Sequence, residues 1–237
     1  MWRKIQKCNL SYTLLTDNDE CYFYDYFFSY GYYKLNPNIS NFKKKMDCSY
    51  YEKQYKKSAM KNFANILNEF PFQTNSFIIP AVTSKKNDDP LFDPRLMIST
   101  QWAASTNQNI TWNELFKAKH SIKESHFGGP RDYATILSNT ELIQNYNYND
   151  VIIYIVDDIF TTGVHFKVMK DLILSVYPNA KIIGLFWGLT IHFSEEYAEL
   201  IIDALEKDNT GNYMNNLKGY YDLLYTKKSI FTNTIPQ

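Results

Sequence analysis

The segment from Val151 to Leu189 constrains the fold more than any other part of the chain. Residues 151–156 (VIIYIV) form a near-continuous apolar run rich in β-branched side chains, the pattern of a strand buried on both faces. After a loop, apolar residues recur at Val164, Val168, Leu172 and Val176, with Lys167, Lys170 and Asp171 between them. This spacing predicts an amphipathic helix. A Pro178-Asn179 turn and a second apolar run, Lys181 to Phe186 (KIIGLF), complete a strand–helix–strand unit. Such a unit requires parallel strands joined by a right-handed crossover. The expected fold is therefore α/β, with a central, mostly parallel sheet flanked by helices. Ligands of such sheets bind beyond the carboxyl ends of the strands, so Asp157 to His165 becomes the candidate site.

The rest of the 237 residues shows no internal repeat and no low-complexity linker. One domain is expected, with a core over about residues 50–190 and appended elements at 1–49 and 191–237. Glu20 to Tyr33 (ECYFYDYFFSYGYY) is dense in strand-favouring aromatics and has Gly31 as a turn, which reads as a hairpin or edge strand packed on the main body. Between Tyr51 and Phe70, apolar positions Tyr51, Tyr55, Ala59, Phe63, Ile66 and Phe70 alternate with Lys53, Lys56, Lys57 and Lys61. That predicts an amphipathic helix with the lysines outward, stopped by Pro71. Phe77-Ile78-Ile79 suits a short buried strand, and Pro90 to Ala104 suits a helix with Asp89 as its cap.

Composition narrows the function classes. Lys and Arg total 25 against 25 Asp and Glu, a balance that argues against a dedicated nucleic-acid binder and leaves room for a small anionic ligand. Charges interrupt every apolar stretch near the start of the sequence, so no membrane span or signal peptide is expected. Cys8, Cys21 and Cys48 form no C-x₂-C pair and read as reduced thiols of a cytoplasmic protein. The chain has 22 Lys against three Arg. That bias reflects AT-rich coding, but it gives Arg131 interest as a bidentate anion clamp.

Asp157 and Asp158 are adjacent carboxylates that repel each other unless a metal or hydroxyl donors use them. Thr161-Thr162-Gly163 opens the helix with hydroxyls, a permissive glycine and unpaired backbone N–H groups, the means by which a helix N-terminus holds phosphate. Singly, these features also describe a solvated acid and an ordinary threonine cap. Jointly they describe a sugar-phosphate site, with acids for a ribose diol or magnesium beside a phosphate cradle.

At this point the sequence resembles a known family. Ile153 to His165 (IYIVDDIFTTGVH) is similar to the phosphoribosyl-pyrophosphate (PRPP) signature of type I phosphoribosyltransferases. The resemblance implies that Asp157 and Asp158 address the ribose hydroxyls, directly or through magnesium. Thr161, Thr162, Gly163, Val164 and His165 would cradle the 5-phosphate. His165 stands where the family usually has Ser or Thr, and imidazole can also donate to phosphate. TTGVHFK, with the P-x-A-x-I-x-G-L-F stretch after it, resembles a ComF-like bacterial subgroup in which His-Phe-Lys follows T-T-G.

Ile78 to Lys85 (IIPAVTSK) is similar to the family's P-x-P-S-S-K diphosphate loop, departing from it at Ala81-Val82-Thr83. There Thr83 and Ser84 would let backbone amides approach, and Lys85 or Lys86 would neutralise the diphosphate. Lys117 to Arg131 (KAKHSIKESHFGGPR) reads as a lid, with Arg131, Lys123 and His126 as diphosphate contacts, or as a surface loop without a catalytic role.

The implied reaction is displacement of pyrophosphate from C1 of PRPP by a nitrogen nucleophile, assisted by Mg²⁺. The acceptor would be a small molecule such as a nucleobase, under a hood drawn from Tyr22 to Tyr33, Trp187 and Ser194 to Leu224. Thr161 stands where 6-oxopurine members carry an acid, which speaks against hypoxanthine or guanine as acceptor. The paired cysteines of the ComF zinc module are absent. The family's precedents also include homodimers and a different class of function, a non-catalytic PRPP- or nucleotide-binding regulatory module.

Overall fold

A computed structural model describes residues 1–6, 10, 13–28, 36–44, 49–123, 132–143, 146–191, 203, 207 and 212–226. In chain order its elements are β1 (Arg3–Lys4), β2 (Glu20–Phe28), α1 (Pro37–Phe42), α2 (Tyr50–Asn68), β3 (Ser76–Pro80), α3 (Arg95–Thr106) and β4 (Ile110–Trp112). There follow β5 (Phe116–Ala118), α4 (Tyr133–Asn139), β6 (Thr140–Leu142), β7 (Ile152–Phe160), α5 (Val164–Val176), β8 (Lys181–Ile191) and α6 (Tyr213–Thr226).

The main sheet has six strands in the order β1-β2-β8-β7-β3-β4. Every pairing in it is parallel except β1 with β2. The expected β7–α5–β8 unit is therefore present, and β7 and β8 are the middle strands. Ile153, Ile155, Val156, Leu185 and Phe160 are all fully buried, which explains why these segments read as continuous apolar runs.

On one face Phe63 of α2 stacks on Trp187 of β8 with centroids 4.7 Å apart, and Phe42 of α1 meets both rings edge-on. On the other face Phe166 of α5 approaches Phe186 at 6.4 Å. Phe63 has no exposed surface. Truncating such a ring to alanine typically costs about 3–5 kcal/mol. No described helix is long and apolar enough to cross a membrane.

Three local expectations are corrected. The aromatic segment from Glu20 is not the outermost strand, and its expected turn at Gly31 lies outside the described residues. It pairs in parallel with β8 from Glu20↔Ile183 to Phe28↔Ile191, and the two-residue β1 lies outside it. Aromatics suit this inner strand, in which Cys21, Phe23, Tyr26 and Phe28 are buried.

Helix α2 begins at a capping box in which Ser49 Oγ accepts from the Glu52 amide at 3.4 Å and the Ser49 amide donates to Glu52 Oε2 at 3.0 Å. Its first turns overhang the core, so Tyr51 and Tyr55 are 74% and 55% exposed, whereas Lys56 is 2% exposed. Lys56 tolerates burial because its Nζ donates to Asp93 Oδ2 at 2.6 Å and to the Lys44 carbonyl, satisfying the rule that buried charges are paired.

Helix α3 starts at Arg95 rather than Pro90. Asp89 instead closes a turn before it, accepting from the Leu91 amide at 2.8 Å. Of the cysteines, Cys21 is buried and unpaired, and burial pushes its thiol up. Cys8 and Cys48 lie outside the described residues.

Candidate functional site

The carboxyl ends of β3 and β7 lead into two loops, residues 81–94 and 161–163. The shorter is set by its own backbone. Gly163 has φ +79°, and a Cβ there would lie 2.8 Å from the Phe160 ring, so glycine is required on both counts. Gly163 is the N-cap of α5 and offers no side-chain cap to the first amides, which leaves a helix N-terminus suited to an anion. The N-terminal segment braces this turn from outside. The Leu14 amide and Thr13 Oγ1 both donate to the Thr162 carbonyl, at 2.9 and 3.1 Å. Thr161 Oγ1 lies 3.1 Å from Thr190 Oγ1 of β8.

Further along the same brace, Lys170 of α5 donates to Asp19 at 2.6 Å. The Thr16 amide and hydroxyl donate to the same carboxylate at 2.6 and 2.8 Å. Burial tends to raise the Asp19 carboxyl, but Lys170 and Thr16 outweigh it and hold it below its ordinary value.

Strand β7 does not stop at the acids. It runs through them to Phe160, so side-chain alternation sends Asp157 and Asp158 to opposite faces. Asp157 pairs in register with Phe186 and lies on the α5 side, where its Oδ2 is 3.7 Å from His165 Nδ1. Asp158 lies on the side of α1, α2 and α3, held by Arg95 Nη2 at 3.1 Å and Lys43 Nζ at 3.3 Å. Arg95 also donates to Asp93 at 2.6 Å, and Asp93 in turn holds Lys56. Burial alone would raise the Asp158 carboxyl, but Lys43 and Arg95 prevail and keep it far below the usual carboxylate range. Burial disfavours the Arg95 charge, yet Asp158 and Asp93 hold it more firmly protonated than usual.

The longer loop is pinned to the stem of the expected lid. The Ile122 amide donates to the Ser84 carbonyl at 2.8 Å, and the Lys86 amide to Ser121 Oγ at 3.1 Å. Thr83 Oγ1 folds back to the Lys85 carbonyl at 2.8 Å. The stem is tied to the last residue of α4, Asn139, whose side chain both accepts from the His120 amide at 2.9 Å and donates to its carbonyl at 3.0 Å.

Between these parts lies an open cleft whose walls include Val82, Thr83, Ser84, Lys123, Thr140 and His165. Residues from three separate stretches of sequence, expected at the diphosphate loop, the lid and the phosphate cradle, thus meet at one place. Lys85 and Lys86 are outside its lining, and Lys86 is paired with Asp88 at 3.3 Å. Arg131 and His126 lie outside the described residues.

Sequence reasoning missed Arg95, Lys43, Asp93 and Lys56. The one available signal was the scarcity of arginine, which applies to Arg95 as much as to Arg131. Among the described residues no group of three or more His, Cys, Asp or Glu gathers around a point.

Fold and cleft together define an α/β protein with a cleft at the carboxyl rim of a mostly parallel sheet. No protein-family model matches the chain, and no curated protein matches it. Solved structures similar to it include a hypoxanthine phosphoribosyltransferase from Staphylococcus aureus, at 14% identity over 56% of this chain and 70% of that one, with TM-score 0.32. A hypoxanthine-guanine phosphoribosyltransferase from Bacillus anthracis is 14% identical over 57% of this chain and 67% of that one, with TM-score 0.32. One from L. donovani is 12% identical over 58% and 81%, with TM-score 0.33.

Proposed function

We propose that the cleft binds PRPP and that the protein is a Mg²⁺-dependent phosphoribosyltransferase acting on a nucleobase or another nitrogen nucleophile. The observation that carries this reading is the meeting of Thr83, Ser84, Lys123 and His165 in one cleft, beside the open N-terminus of α5 and the Asp157 carboxylate. The 5-phosphate would sit on the turn from Thr161 to His165, whose amides point along the positive end of the helix dipole. Ribose hydroxyls would meet a carboxylate at the end of β7. The diphosphate would lie against the Thr83 to Lys86 loop, with Lys123 and Arg131 closing over it.

Magnesium, when bound, neutralises charge that builds on the departing diphosphate. The protein's own contribution is positioning and exclusion of water. Charge separates as C1 gains cationic character, so fixed dipoles and cations in a dry site stabilise the transition state. No side chain has to transfer a proton for the C–O bond to break.

The test is calorimetric titration with PRPP and MgCl₂, followed by pyrophosphate release across a panel of purine, pyrimidine and pyridine bases. Binding with release on at least one acceptor is expected. Binding without release on any acceptor would identify the non-catalytic module, and absence of PRPP binding would end the reading.

A further inference from the structure

We propose that the two adjacent acids divide their work: Asp157 alone meets the ribose, while Asp158 is a positioning residue that, through Arg95, ties the diphosphate loop to β7. This rests on the PRPP reading of the cleft and assigns separate roles within it.

Both ends of the 81–94 loop are fastened to β7, two residues apart. At the near end the Ala81 amide donates to the Val156 carbonyl at 2.8 Å. At the far end Asp93 Oδ1 accepts from the Arg95 amide at 3.2 Å, and the Arg95 guanidinium bridges Asp93 to Asp158. Thr83 and Ser84 lie between these anchors, so the position of the diphosphate loop depends on where Asp158 holds Arg95.

Asp158 is also unsuited to a second task. Its Oδ2 already carries both Lys43 and Arg95, and a divalent cation brought to it would face two positive charges at short range. One face of the Arg95 guanidinium is closed by the Phe42 ring at 5.5 Å, which leaves it little freedom to turn elsewhere. Asp157, on the opposite face of the strand, has the His165 ring 3.7 Å from its Oδ2.

The roles separate by titrating two halves of the substrate: ribose 5-phosphate alone, and pyrophosphate with MgCl₂. Asp157→Asn should weaken ribose 5-phosphate binding about 10-fold, the scale of one charged hydrogen bond. Asp158→Asn and Arg95→Lys should weaken pyrophosphate binding about 10-fold and change ribose 5-phosphate binding by less than about twofold. Arg95→Lys keeps the buried charge and loses the fork that spans Asp93 and Asp158, so it decides the matter if Asp158→Asn fails to fold, as checked by circular dichroism. Loss of ribose 5-phosphate binding in Asp158→Asn equal to that in Asp157→Asn would overturn the division, as would unchanged pyrophosphate affinity in Arg95→Lys. A wild-type protein that binds neither ligand would instead remove the PRPP reading, and this inference with it.

Discussion

The two loops at the rim of the sheet are held by different physics. The turn from Thr161 to Gly163 is three residues long, and its shape follows from one left-handed glycine and the helix that begins there. The loop over 81–94 has local turns at Thr83 and Asp89 but no left-handed glycine to set its course. Its path is imposed by charges on other elements, through Arg95 and Asp158 at one end and by the stem at Ser121 and Ile122 in the middle. A short loop can be specified by local conformational preference, whereas a long one takes its geometry from what it is tied to.

The comparison breaks most sharply at Asp158. Replacing it with asparagine leaves Lys43 without its counter-charge and Arg95 with Asp93 alone, and removing one partner of a buried pair costs about 3–5 kcal/mol. Urea denaturation should show that loss. Its pH dependence follows from the direction of the shift. The folded carboxyls of Asp158 and Asp19 titrate below their ordinary value of 3.8. Their stabilisation is therefore complete above that value and disappears as pH falls through the lower folded values. Melting temperature should drop steeply below about pH 4 in the wild type and less steeply in Asp158→Asn. An unchanged slope in that variant would show that the network contributes nothing in acid.

The short turn should respond first in ligand affinity. Thr161→Ala and Thr162→Ala should each weaken PRPP binding by about 1–3 kcal/mol, as measured by titration, with little change in melting temperature. Gly163→Ala should cost about 1–2 kcal/mol of stability for the left-handed backbone, with further strain from the Phe160 ring. A melting curve equal to wild type would show that the turn relaxes freely. Smallest of all, Lys86→Ala removes an exposed pair with Asp88, and its stability should change by less than about 1 kcal/mol.

Legibility followed the same division. The β7–α5–β8 unit was readable because burial on both faces leaves a continuous apolar run and burial on one leaves a helical period. Gly163 was readable because only glycine takes that conformation cheaply. The acid pair was readable as chemistry but not as geometry: nothing local says that β7 continues through Asp157 and Asp158 and parts them. Lys56 shows the same limit, since its place in an amphipathic pattern points outward and only Asp93, 37 residues later, makes burial tolerable. Tyr51 and Tyr55 are the converse case, apolar positions in the right period on a part of α2 that overhangs the core.

By itself, the sequence determined the class of fold, the parallel crossover and the turn that opens α5. These are consequences of periodicity and backbone preference, which act over a few residues. Only the tertiary structure decided that the two acids lie on opposite faces of β7, that Arg95 and Lys43 belong to Asp158, and that β2 runs parallel inside the sheet. Those outcomes depend on charges and strands brought together from distant parts of the chain, where pairing energy exists only once the fold has formed.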